Sequence, residues 1–171
     1  MDNEPILNMA HIAERAGMSE RTLFRYFGNQ DGLFRVVGSS LVPMTLPYLT
    51  EAPPKGSFES RVRALVQLRC TFAREFAAMG RTVDRFMNQF EAARALRDNR
   101  DALARKQLRS WLGPELKKLD KKTLVVVQQM LDFSFLDAMN NAFDSRAAQV
   151  LGDHVMVILR SGLTKRRESK S

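Results

Sequence analysis

Apolar side chains recur every three or four residues along most of the chain, the rhythm of helices buried on one side. Ile12, Ala16, Leu23 and Phe27 form the first stripe, on short helices predicted over 9–16 and 20–27 with Gly17 between them. A third short helix is predicted over 30–41. Pro43, Pro47, Pro53 and Pro54 follow in "LVPMTLPYLTEAPPKGS". Each proline removes a helix donor and biases its predecessor toward extended backbone, so 43–57 reads as a joint. Ser57 is placed to cap the next helix, predicted over 58–79 and ending at Gly80. A helix over 81–96 carries Val83, Phe86, Met87, Phe90, Ala93 and Leu96 on one stripe. "RDNRD" predicts a break before another helix at 98–112, which Gly113-Pro114 interrupts. Residues 122–143 are apolar on nearly all sides, which predicts one helix buried on more than one face. Asp144 is placed to cap a last helix over 145–163. Strand patterns are scarce. The expected fold is all-α: a helix-turn-helix head at 1–42, the joint at 43–57, a helical body at 58–164 that binds a ligand and dimerises, and a basic tail at 165–171.

Composition narrows the class. The 171 residues need no disulfide or metal to bury a core, and the lone Cys70 supplies neither. "MDNEPILNMA" carries acids where a signal peptide carries bases, and the most apolar run, "LVVVQQMLDFSFL", is interrupted by Gln128, Gln129 and Asp132. A cytoplasmic protein with no membrane partner is expected. The net charge of +8 suggests a polyanionic partner. Its distribution weakens that inference for the head. Residues 1–40 hold 4 basic and 5 acidic side chains, whereas 55–122 hold 17 basic and 8 acidic.

The stretch "IAERAGMSERTLFRYF", Ile12 to Phe27, carries the chemistry of a helix-turn-helix. Such a pair of helices needs a small residue at closest approach, which Ala13 supplies, and a residue tolerant of positive φ in the turn, which Gly17 supplies. Met18 can plug the corner and Ser19 can cap the second helix. The positions predicted to point outward are Glu20, Arg21, Thr22, Phe24, Arg25 and Tyr26. An arginine here can pair with guanine O6 and N7, and an aromatic ring can meet a thymine methyl. Thr22, Tyr26 and Ser19 suit phosphate contacts, which set register rather than read sequence.

"IAERAGMSERTLFRYFGNQDGLF" resembles the DNA-binding segment of TetR-type transcriptional regulators, whose pattern is approximately IAxxAGVSxxTLYxYFxxKxxLL. Ile12, Ala13, Ala16, Gly17, Ser19, Thr22, Leu23, Tyr26, Phe27 and Leu33 stand where that pattern expects them. The resemblance implies a homodimer joined through the last two helices, here about 122–143 and 145–163. It implies double-stranded operator DNA as partner, and a repressor released when a small molecule enters the body. Three positions depart from the pattern. The family's phosphate-contacting lysine is Gln30, its mid-helix tyrosine is Phe24, and the family helix ahead of the motif has only "MDNEPILNMA" in its place. A truncated, less stable head is therefore the expectation, and the alternative function is a ligand-binding and dimerisation module with a defective DNA-binding head.

Flexible and aromatic side chains in the body suit an adaptable apolar pocket. Phe76, Met79, Phe86, Met87, Phe90, Trp111, Met130 and Phe133 are the candidates for contact with a small apolar effector. His154 falls on an apolar helical face and suggests a packed interface residue, and Cys70 suggests a buried structural thiol. No His, Cys and carboxylate set has metal-ligand spacing, and no phosphate loop or nucleophile elbow is present. The chain is expected to be no enzyme and to need no cofactor.

Overall fold

A computed structural model describes the backbone of residues 9–168 and the side chains of 9–164. Every regular element among them is helical: α1 (Met9–Arg15), α2 (Glu20–Phe27), α3 (Gln30–Thr50), α4 (Phe58–Glu75), α5 (Ala77–Phe86), α6 (Glu91–Leu116), α7 (Lys121–Met130), α8 (Phe133–Phe143), a 3₁₀ turn (Asp144–Arg146) and α9 (Ala147–Glu168). Residues 1–8 of the segment expected to be too short for a helix ahead of the motif, and the side chains of the predicted basic tail, 165–171, lie outside the described residues.

Two separate apolar clusters organise the chain. The head cluster buries Met9, Ala13 and Leu23, with Ile12, Phe27 and Leu33 packed on it. The body cluster is far larger and centres on Val66, Cys70, Trp111, Val127, Leu136 and Leu159. Burial pushes the Cys70 thiol up to about 11, as expected of a structural cysteine, although Arg74 opposes the shift.

Helix α3 joins the clusters, and it corrects the boundary expected from the prolines. It runs unbroken through Pro43 and Pro47 to Thr50, so the non-helical connection is only 51–57. The reason is tertiary packing. Phe34, Gly38, Leu41, Val42, Thr45 and Leu49 follow helical spacing and turn inward, while both prolines face outward. The carbonyls that the prolines deprive of a donor belong to Ser39 and Pro43, which are themselves exposed. Thr45 Oγ1 donates to the Leu41 and Val42 carbonyls at 3.3 and 3.2 Å within the same stretch.

Helix α3 packs along α6. Gly38 is buried against Leu96, and a Cβ there would lie 2.5 Å from the leucine methyl carbon. Phe34 stacks with Phe86 and Phe90 at ring-centroid separations of 5.6 and 5.3 Å. At one end, Asp31 Oδ1 accepts the Ala92 N–H at 2.7 Å. Helix α6 has no side-chain cap of its own, so the carboxylate from α3 serves its N-terminus. At the other end, Trp111 Nε1 donates to the Glu51 carbonyl at 2.7 Å and Gln107 Nε2 to the Tyr48 carbonyl at 3.0 Å.

Other helix boundaries also differ from the expectation. The helix predicted over 58–79 ends at Glu75, where Phe76 (φ −107°, ψ 21°) turns its ring onto Tyr48 and Phe72. The helix predicted over 81–96 is broken at 87–90, where Phe90 is extended. "RDNRD" is no break, because its charges are paired: Arg100 reaches Asp84 at 3.0 Å and Asp101 at 3.1 Å. Pro114 lies within the last turn of α6. The helix predicted over 122–143 is split at Leu131 and Asp132, where the Asp132 side chain accepts the Ser134 N–H and starts α8. Asp144 is not the cap of the last helix: it takes φ 47° and closes α8, its N–H on the Asn140 carbonyl.

Two outcomes follow from this packing. Replacement W111F removes a donor from the Glu51 carbonyl and leaves the end of α3 less well held. Urea unfolding is expected to show a loss of about 1–3 kcal/mol at an unchanged m value. The head cluster buries few side chains, so amides of α1 and α2 are expected to exchange hydrogen faster than those of α4 and α9 under native conditions. Equal protection across the chain would contradict that ordering.

Candidate nucleic-acid interface and effector cavity

The turn between α1 and α2 is built by backbone bonds and one glycine. Gly17 takes φ 65°, and the Met18 N–H returns to the Ala13 carbonyl at 3.0 Å. Ala13, only 2% exposed, permits that approach. Ser19 caps α2, its Oγ accepting the Thr22 N–H at 3.1 Å. Gly28 ends the helix at φ 74°, its N–H on the Phe24 carbonyl. The sequence expectation fails at two structural positions here. Ala16 and Met18 are exposed rather than inward, because Leu23 and Met9 fill the centre of the head cluster.

Glu20, Arg21, Phe24, Arg25 and Tyr26 are exposed on α2. Tyr26 is 66% and Phe24 43% exposed, an unusual display of aromatic surface on so small a head. The Arg25 guanidinium lies over the Tyr26 ring at 5.2 Å, which holds both side chains on one patch. Thr22 is half-buried, and its hydroxyl is engaged with Ser19 Oγ at 2.8 Å. Gln30 is half-buried in the first turn of α3, directly after Asn29, whose side chain caps that helix. The arrangement has the chemistry for base edges in its arginine, for thymine methyls in its apolar rings and for phosphates in its capped helix ends.

The body encloses a mainly apolar cavity of about 320 Å³ beside α3. Helix α3 contributes Val37, Leu41, Val42, Thr45 and Leu46; α5 and α6 contribute Met79, Val83, Leu96, Asn99 and Leu103; Phe72 and Phe133 close it. Of the aromatic and methionine residues singled out from sequence, Met79 and Phe133 line this space. The others are placed elsewhere. Phe86 and Phe90 stack on Phe34, and Phe76 on Tyr48 and Phe72. Trp111 is in the body core, Met130 packs on its edge, and Met87 contacts Arg97. Thr45, Leu46 and Leu49 of the lining fall where the prolines mark a joint, whereas Val37 and Leu41 lie in the helix predicted over 30–41, which carries no sign of a pocket. Arg100 also lines the cavity, its charge compensated by Asp84 and Asp101 and its guanidinium 4.7 Å from the Phe133 ring centroid.

Among the described residues no cluster of His, Cys, Asp and Glu has the arrangement of a metal site, and no helix is long and apolar enough to cross a membrane. His154 is exposed rather than packed within the chain, with Nδ1 2.7 Å from the Val150 carbonyl. Residues 7–37 match the family model described as bacterial regulatory proteins, tetR family. Neither the curated proteins nor the solved structures include a match to the chain. The matched segment spans the glycine turn, the capped second helix and the start of α3, so over these residues the head is that of the tetR-family regulators, set on an all-helical body.

Proposed function

We propose that this regulator is a dimeric repressor whose hold on its operator is released by a small, largely apolar ligand in the cavity beside α3. The observation that carries the reading is shared structure. The helix that walls the cavity is separated from α2 by only Gly28 and Asn29. A ligand that favours one packing of α3 on α6 therefore also favours one orientation of the head, and DNA and ligand affinities are linked reciprocally. Ser19, Arg21, Phe24, Arg25 and Tyr26 form the reading surface, with Glu20, Thr22 and Gln30 at its margin.

Exposed apolar side chains on the last helices support the dimer. Val125, Val126, Phe135 and Phe143 are 38–46% exposed and Val157 is 67% exposed. Such a concentration on α7, α8 and α9 suits a face shared between two copies. The near balance of charge on the head favours the alternative, a ligand-binding module with a weakened DNA-binding surface, and the experiment below separates the two.

Mobility-shift titration at low salt against DNA flanking the protein's own gene is expected to give a specific complex. R21A is expected to weaken it by about 1–3 kcal/mol and to relax preference at one base position. No shift of any DNA by the unmodified chain would favour the module. For assembly, F135E is expected to convert a sedimenting dimer into a monomer, and a monomer before substitution would refute the dimer.

A further inference from the structure

A second cavity of about 100 Å³, of mixed lining and more polar than the first, adjoins the apolar one. Phe72, Arg100 and Phe133 line both and form the wall between them. The polar side is lined by Arg69, Arg105, Asp101, Asp132, Gln128 and Gln129. Its charges do not balance. Asp101 is taken by Arg100 at 3.1 Å, and Asp132 accepts the Ser134 N–H as the cap of α8. Arg69 and Arg105 have no ion pair among the described residues.

Arg69 is the unusual member. It is only 3% exposed, and its bonds go to neutral acceptors, Gln107 Oε1 at 2.9 Å and the Ala104 carbonyl at 2.7 Å. Burial pulls its guanidinium down to about 10, and the more distant Asp101 offsets this only in part. A buried cation without a contacting carboxylate carries a desolvation cost that an anionic partner in the adjoining space would relieve. Gln128 and Gln129 add amide donors on the same wall.

We propose that the two cavities form one site for an amphiphilic monocarboxylate, its carboxylate held at Arg69 and Arg105 and its hydrocarbon part in the space beside α3. This deepens the effector reading and rests on it. The headgroup pairs with guanidinium donors in the planar, two-oxygen manner that arginine favours. Occupation of both sides requires the Phe133 ring to turn away from Arg100, which moves a side chain that touches the wall of α3's cavity.

The test is isothermal titration of the full chain with decanoate, decan-1-ol and decyltrimethylammonium. Decanoate is expected to bind at least about tenfold more tightly than the alcohol, with the cation weakest, as an added charge-assisted contact requires. R69Q is expected to remove that preference and R105Q to reduce it at least about threefold, while decan-1-ol affinity stays unchanged. R105Q alters an exposed side chain, so it decides the matter if R69Q does not fold. Equal binding of acid and alcohol, or a preference that survives in the folded variants, overturns the carboxylate site and leaves the apolar cavity standing. Failure of all three probes overturns the cavity reading as well, whereas the mobility shift tests DNA binding independently.

Discussion

The attachment of α3 to α6 is the constraint on which the remaining architecture depends. It is made at both ends by polar contacts and along the middle by close apolar approach. Asp31 supplies a carboxylate to an uncapped helix N-terminus, and Trp111 and Gln107 hold carbonyls at the far end. Between them Gly38 leaves room for the Leu96 side chain, which a Cβ there would force to move. A head with three buried apolar residues gains its position from this attachment more than from its own core. The cavity lies between α3 and the facing surfaces of α5 and α6, closed by Phe72 of α4 and Phe133 of α8.

Much of this was legible in sequence where one local signal dominated. Gly17, Ser19 and the stripe around Leu23 announce the head because turn chemistry, capping and periodicity agree there. The last helices announce their excess of apolar surface by composition alone. What escaped sequence reading was decided between elements. Pro43 and Pro47 argue locally for a joint, yet the stripe through Leu41, Thr45 and Leu49 outweighs them once α6 is present. Asp31 carries no sequence sign that it caps a helix sixty residues away. Trp111, a candidate ligand contact as one of the body's aromatic side chains, is placed in the core with a structural hydrogen bond to the Glu51 carbonyl, a distinction that only tertiary placement makes.

The arginines show a similar division between composition and placement. The chain's basic surplus, counted globally, suggests a nucleic-acid partner. Arg97 and Arg100 instead neutralise Asp84 and Asp101, Arg61 pairs with Glu115 at 2.6 Å, and Arg69 is enclosed in the body. Counting charges therefore overstates how much of the surplus is offered to a polyanion. The patch on α2 depends less on charge number than on Arg25 lying over Tyr26 beside exposed Arg21 and Phe24.

The two prolines of α3 also give that helix a mechanical character. They stand four residues apart on the outer side, so the two missing backbone bonds fall on the same edge of the cylinder. A rod weakened along one edge bends readily in one plane and resists bending in others. The side toward the cavity keeps its side-chain packing when the helix bends, and the outer side opens to solvent without breaking bonds that were never formed. Bending of α3 between Ser39 and Pro47 is therefore easiest in one plane, the plane that contains the outer edge with the two prolines.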